Sequence, residues 1–160
     1  MSAETLIQTL EKLLQLHRNL YQVTTQKTEI LKSENIGELK ELLKKEQMFV
    51  QAIKQIETER IQASTEFLGA EDITLTACIE KAEGEQKEKL KQFSANFSVI
   101  IDKLKEANQL NRELTQQALQ FVSLSLDMLM PQESLINYQR PDGMKQPSDK
   151  TRRSLFDSQA

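Results

Sequence analysis

Residues 90–130 read LKQFSANFSVIIDKLKEANQLNRELTQQALQFVSLSLDMLM, with no proline and no glycine. Along them Leu90, Phe93, Phe97, Ile100, Leu104, Ala107, Asn111, Leu114, Ala118, Phe121, Ser125 and Met128 recur in alternating steps of three and four. A stripe at that spacing keeps one side of an α-helix turned toward a neighbouring helix, the pattern of left-handed helix-on-helix packing. It predicts a single long helix from about Gln86 to Met130, stopped by Pro131.

The same steps recur upstream. Leu6, Leu10, Leu13, His17, Leu20, Thr24 and Leu31 form one series, widened by Ile7, Leu14 and Tyr21. They predict a first helix to about Lys32, with Ser2 as its N-cap. SENIGE (residues 33–38) breaks the series, and Asn35 followed by Glu38 has capping-box spacing, so a second helix starts near Ile36. Its stripe is Leu39, Leu42, Phe49, Ile53, Ile56 and Phe67, widened by Leu43 and Val50. Glu46 and Arg60 fall on that stripe and read as paired or snorkelling charges. LGAEDIT (residues 68–74) ends this helix with Gly69 at the C′ position, and a short helix is expected near 74–83.

Composition agrees with this reading. Only 38% of the 160 residues are apolar, 28% are charged, and mean hydropathy is −0.53. Amphipathic helices with charged outer faces give such values. All three prolines lie after residue 130, which leaves the rest of the chain too poor in turn residues for an all-β fold. The expected class is all-α: an elongated antiparallel bundle of three long helices, near 2–33, 36–67 and 86–130, coiled-coil-like, with a short connecting helix. Residues 1–130 form the helical bundle. Residues 131–160 have no sustained period and read as a flexible tail, with apolar spots at Leu135-Ile136, Tyr138 and Leu155-Phe156.

Chemistry is scarce. One histidine and one cysteine supply no zinc set and no nucleophile–base pair with an orienting third group. His17 reads as a satisfied core or boundary histidine in an apolar series, and Cys78 as a small apolar residue. No phosphate-binding glycine loop is written anywhere. Pairs such as Glu41–Lys45 and Glu85–Lys89 are the helix-supporting kind. The expectation is no enzyme, no cofactor and no metal. A net charge of −3 speaks against nucleic acid as the partner. The start MSAETLIQTLEK lacks a basic region followed by an apolar run, and no stretch suits a membrane span, so a cytoplasmic protein without direct membrane insertion is expected.

What remains is surface for a partner. ALQFVSLSLDMLM (residues 118–130) has one charge, and Ala118, Leu119, Phe121, Val122, Leu124, Leu126, Met128, Leu129 and Met130 project around most of the helix circumference. Apolar residues spread that widely need cover on several sides. In an up-down-up arrangement the third long helix runs roughly ten residues past the first turn, at about 1.5 Å per residue. The stretch that runs past is this one. Two readings follow: a docking surface for another protein, or cover by the short segment, the tail or a second copy.

Three features together resemble the FlgN family of flagellar type III export chaperones. ELKELLKKEQMFVQAIKQIETER (residues 38–60) is similar to the family's Leu-rich run ending in Glu-x-x-Arg, with Gln47, Ile56, Glu57 and Arg60 in place. NQLNRELTQQAL (residues 108–119) carries Asn108, Asn111 and Leu114 as an N-x-x-N-x-x-L. NYQRPDG (residues 137–143) resembles a Tyr-Gly-x-x-Gly turn through Tyr138 and Gly143, although Gln139 replaces the first glycine and the spacing is stretched. The resemblance implies binding to the C-terminal helices of the hook–filament junction proteins FlgK and FlgL, and delivery to the cytoplasmic domain of the export gate protein FlhA. It would assign the client to Phe121 through Met130 and the gate to Tyr138. A competing reading is a structural coiled-coil adaptor or scaffold that forms an obligate homodimer. A chaperone is expected to be a monomer or weak homodimer.

Overall fold

The computed structural model describes residues 3–69 and 73–129 of the chain. Every regular element among them is helical: α1 (Glu4–Ser33), α2 (Ile36–Leu68), α3 (Leu75–Lys81) and α4 (Gly84–Leu129). The described residues fall into two units divided after Leu119, so the last turns of α4 belong to the second. The expected flexible tail, with Leu135, Ile136, Tyr138, Leu155 and Phe156, lies outside the described residues, as does Met130.

The breaks act through identifiable caps. Asn35 is extended and its side chain accepts from the Glu38 backbone N–H at 3.2 Å, as the capping-box spacing predicts. Before it, Glu34 closes α1 in the left-handed region at φ 58°. That conformation costs a residue with a Cβ roughly 1–2 kcal/mol. A corner this short sets α1 and α2 antiparallel, and Lys27 reaches back across it to Glu46 at 3.1 Å. Gly69 ends α2 at φ 63°, its N–H donating to Thr65 O at 2.8 Å. The Thr74 side chain caps α3 by accepting from Ala77 N–H at 3.2 Å.

Three expectations need correction. The N-cap of α1 is Ala3, which offers no side-chain hydrogen bond; Ser2 lies outside the described residues. Glu41 pairs with Lys44 at 3.2 Å, one residue short of the expected Lys45, because i,i+3 neighbours meet on a helix as readily as i,i+4. The α2 stripe is also shallower than its spacing suggests. Leu42, Ala63 and Ser64 are buried, Phe49, Ile53 and Ile56 are half-buried, and Leu43 and Val50 are exposed. A helix at the margin of a core covers only part of its apolar arc.

The core of the first unit has a wide base. Leu6, Ile7 and Leu10 of α1 pack with Ala63 of α2, Cys78 of α3 and Leu90 of α4, sealed by Phe67, Leu68, Phe93 and Phe97. Further along, Leu14 meets Ile100 and Leu104. Further still, Thr24 and Thr28 meet Asn111. Rising numbers on both helices show that α4 runs alongside α1 in the same direction. Two side chains hold the α3 region in place. Arg60, only 15% exposed, grips Glu57 with two nitrogens at 2.9 and 2.7 Å and donates to Ile73 O at 3.0 Å. Lys81 donates to the last carbonyls of α2, Phe67 O at 2.6 Å and Leu68 O at 3.1 Å, where the helix dipole favours a cation.

Candidate functional site

The α4 stripe changes environment along its length. Leu90, Ile100, Leu104 and Asn111 are buried, and Phe93, Phe97, Ala107 and Leu114 are half-buried. From Ala118 on, the same spacing continues without burial. Leu119, in the first unit, is 64% exposed. In the second unit Phe121 is 69% exposed and Met128 81%, and Val122, Leu124, Leu126 and Leu129 are exposed as well. Of the stripe residues here, only Ser125 is half-buried, and its hydroxyl is satisfied within the helix by Phe121 O at 2.9 Å.

At about 100° per residue, the large side chains from Leu119 to Leu129 sweep roughly 220° of the helix circumference. Gln120, Ser123 and Asp127 share the remaining arc. The surface is therefore a broad apolar band with a narrow polar strip along it. It is twice as wide as the roughly 100° stripe with which a helix meets one core. Asp127 is the sole charge in residues 118–129, so desolvating the band strips water from almost no ionic group.

Ala118, Leu119, Phe121, Val122, Leu124, Leu126, Met128 and Leu129 thus lie on consecutive turns of one helix, all of them exposed. Met130 and Tyr138 lie outside the described residues. His17 takes a structural position: Nδ1 is 2.8 Å from Leu13 O and the ring stands edge-on to Phe97 at 5.7 Å. Cys78 is fully buried in the base of the core. No group of three or more His, Cys, Asp or Glu able to hold a metal occurs among the described residues. Ile53 and Phe97 line an open groove of about 520 Å³ with Leu10, Leu13, His17 and Ile101.

Two features escaped the sequence reading. Asn111 is 4% exposed; its Nδ2 donates to Thr24 O at 3.0 Å and its Oδ1 accepts from Thr28 Oγ1 at 2.5 Å. Polar residues at Thr24 and Asn111, each inside an apolar series, were the available signal. The Arg60 contact to Ile73 O had no sequence signal, since the carbonyl lies 13 residues away across a turn.

Among the described residues every element is helical, and the last turns of the longest helix carry a broad apolar band. The chain belongs to the FlgN family: the model of that family, described as FlgN protein, matches residues 1–146. It is also similar to YvyG of Bacillus subtilis (strain 168), an uncharacterized protein, at 42% identity over 161 aligned residues that span the whole of both chains. No solved structure matches it. Of the residues quoted above for the resemblance, Glu57 and Arg60 form a bidentate pair, Arg60 also reaching Ile73 O, and Asn111 is the buried amide. No helix among the described residues is long and apolar enough to cross a membrane.

Proposed function

We propose that this protein is a cytoplasmic chaperone of flagellar type III export. It binds the C-terminal helices of the hook–filament junction proteins FlgK and FlgL, keeps them from assembling early, and delivers them to the cytoplasmic domain of FlhA. Its three long helices serve as an antiparallel bundle and take no part in catalysis. Membership of the FlgN family supports the flagellar role. The observation that carries the client reading is the exposed apolar band from Leu119 to Leu129. A band of about 220° has room for two helices side by side, which suits a client that presents more than one. Burying each large side chain contributes about 1.5–3 kcal/mol, so a few of them suffice for a micromolar complex.

Tyr138 is assigned to the gate by the family resemblance, and the tail from residue 131 to 160 is its carrier. The test is calorimetric titration of the full chain, and of the chain lacking residues 131–160, with C-terminal fragments of FlgK and FlgL and with the cytoplasmic domain of FlhA. The shortened chain is expected to keep client binding and to lose binding to the gate. Absence of client binding by the full chain, together with a dimer that persists at nanomolar concentration, would establish the scaffold reading instead.

A further inference from the structure

α3 is the least self-sufficient element of the first unit. It has seven residues, well under the roughly 12–15 that an isolated helix needs in water. Of these only Cys78 is buried, and with Ala82 just beyond it the inward face of the segment is made of small side chains. Leu75 and Ile79 lie half-buried against the same cluster. α1, by contrast, buries Leu6, Leu10, Leu13 and Leu14. Undoing so small an apolar contact costs far less than separating the long helices. The connection to α4 breaks no helix when it turns, since Ala82 is extended and Gly84 stands at φ 58°.

What fastens α3 is polar and comes from two cations, one at each end of it. Arg60 of α2 donates to the carbonyl of Ile73, the residue before the Thr74 cap, at 3.0 Å. Lys81, the last residue of α3, donates to Phe67 O and Leu68 O at the end of α2 and stands 5.4 Å over the Phe67 ring. We infer that α3 is a strap over the base of the first unit: it releases as one piece while α1, α2 and α4 stay packed, and Arg60 and Lys81 set how seldom it does so. Release opens the base around Leu6, Leu10 and Leu90 and frees the end of the groove that Thr74 and Leu75 line. The inference is independent of what the protein binds.

Cys78 is the chain's one cysteine, so its reaction with dithionitrobenzoate reports release at a single position. The rate is followed in the full chain at rising, sub-denaturing urea. It should climb with less than about a third of the slope of global unfolding, because little surface is exposed. Arg60→Ala should speed the reaction about tenfold or more, by stranding a carbonyl. Lys81→Ala, at an exposed position that leaves the fold intact, should speed it about two- to fivefold. Leu104→Ala is the control: it lowers the global midpoint yet should leave the rate without urea within about twofold, since it weakens the strapped and released forms alike. In hydrogen exchange the amides of Cys78 and Ala82, which donate to Thr74 O and Cys78 O, should open with the labelling, ahead of the amides of α1. A labelling slope equal to that of global unfolding, acceleration by Leu104→Ala to the full extent of its lost stability, or no acceleration in either cation variant would each overturn the inference and make α3 part of one cooperative core.

Discussion

Two stretches of α4 are written in the same pattern and live in different surroundings. Leu104 and Leu124 are the same residue on the same helix, 8% and 62% exposed. Upstream, the stripe meets α1 in two apolar layers and one polar one. Beyond Ala118, none of the described stripe residues is buried. Periodicity therefore states that a helix face seeks cover, and is silent about who provides it. Among the described residues the stripe outlasts its cover, and the buried amide of Asn111 precedes the exposed turns.

The largest expected effect concerns binding. Replacing Phe121, Val122 and Leu126 together by Gln, Thr and Gln should abolish association with the FlgK and FlgL fragments while helix content by circular dichroism stays nearly constant. Three losses of about 1.5–3 kcal/mol each carry a micromolar complex past detection in calorimetry. Wild-type affinity in that variant would make the exposed turns irrelevant to the client and erase the contrast as a functional one.

Next is the contrast in stability. Leu104→Ala should cost about 2–5 kcal/mol in urea unfolding, because it leaves a cavity against Leu14 and Ile100. Leu124→Ala should stay within about 0.5 kcal/mol, since its side chain is mostly in water already. Equal midpoints for the two variants would show that the downstream turns are covered in solution.

Arg60→Ala comes third, at about 1–3 kcal/mol, because it strands the Ile73 carbonyl and the Ser64 hydroxyl. The pair with Glu57 adds little, as that carboxylate is 41% exposed. Arg60→Lys should recover only part of the loss in thermal unfolding, since an ammonium cannot span both Glu57 oxygens and the carbonyl. The smallest effect belongs to Glu41→Ala, a few tenths of a kcal/mol by the same measurement. Its pair with Lys44 is well exposed on both sides.

Most of the helical layout was legible residue by residue. Asn35 and Gly69 act on backbone groups three or four residues away, and apolar spacing is a property of one helix alone. The apolar run on residues 118–130 was legible too, with its one charge, but whether the chain's own segments cover it was not. The depth of the α2 stripe was not legible, because Leu43 and Val50 obey its spacing and yet lie in water. Nor was the company of Asn111, whose partners stand 83 and 87 residues earlier in the chain.

Local chemistry, then, set where α2 and α3 begin, which face of each long helix is apolar and where the pattern breaks, since caps and periodicity act over one or two turns. Only packing in three dimensions decided that α1 covers α4 as far as Asn111, that Arg60 holds Ile73 and that Lys81 caps α2. Those contacts join residues separated by 13 to 87 positions, and many apolar pairings satisfy the same spacing equally well. The arrangement that also pairs the buried polar atoms is the one the chain adopts.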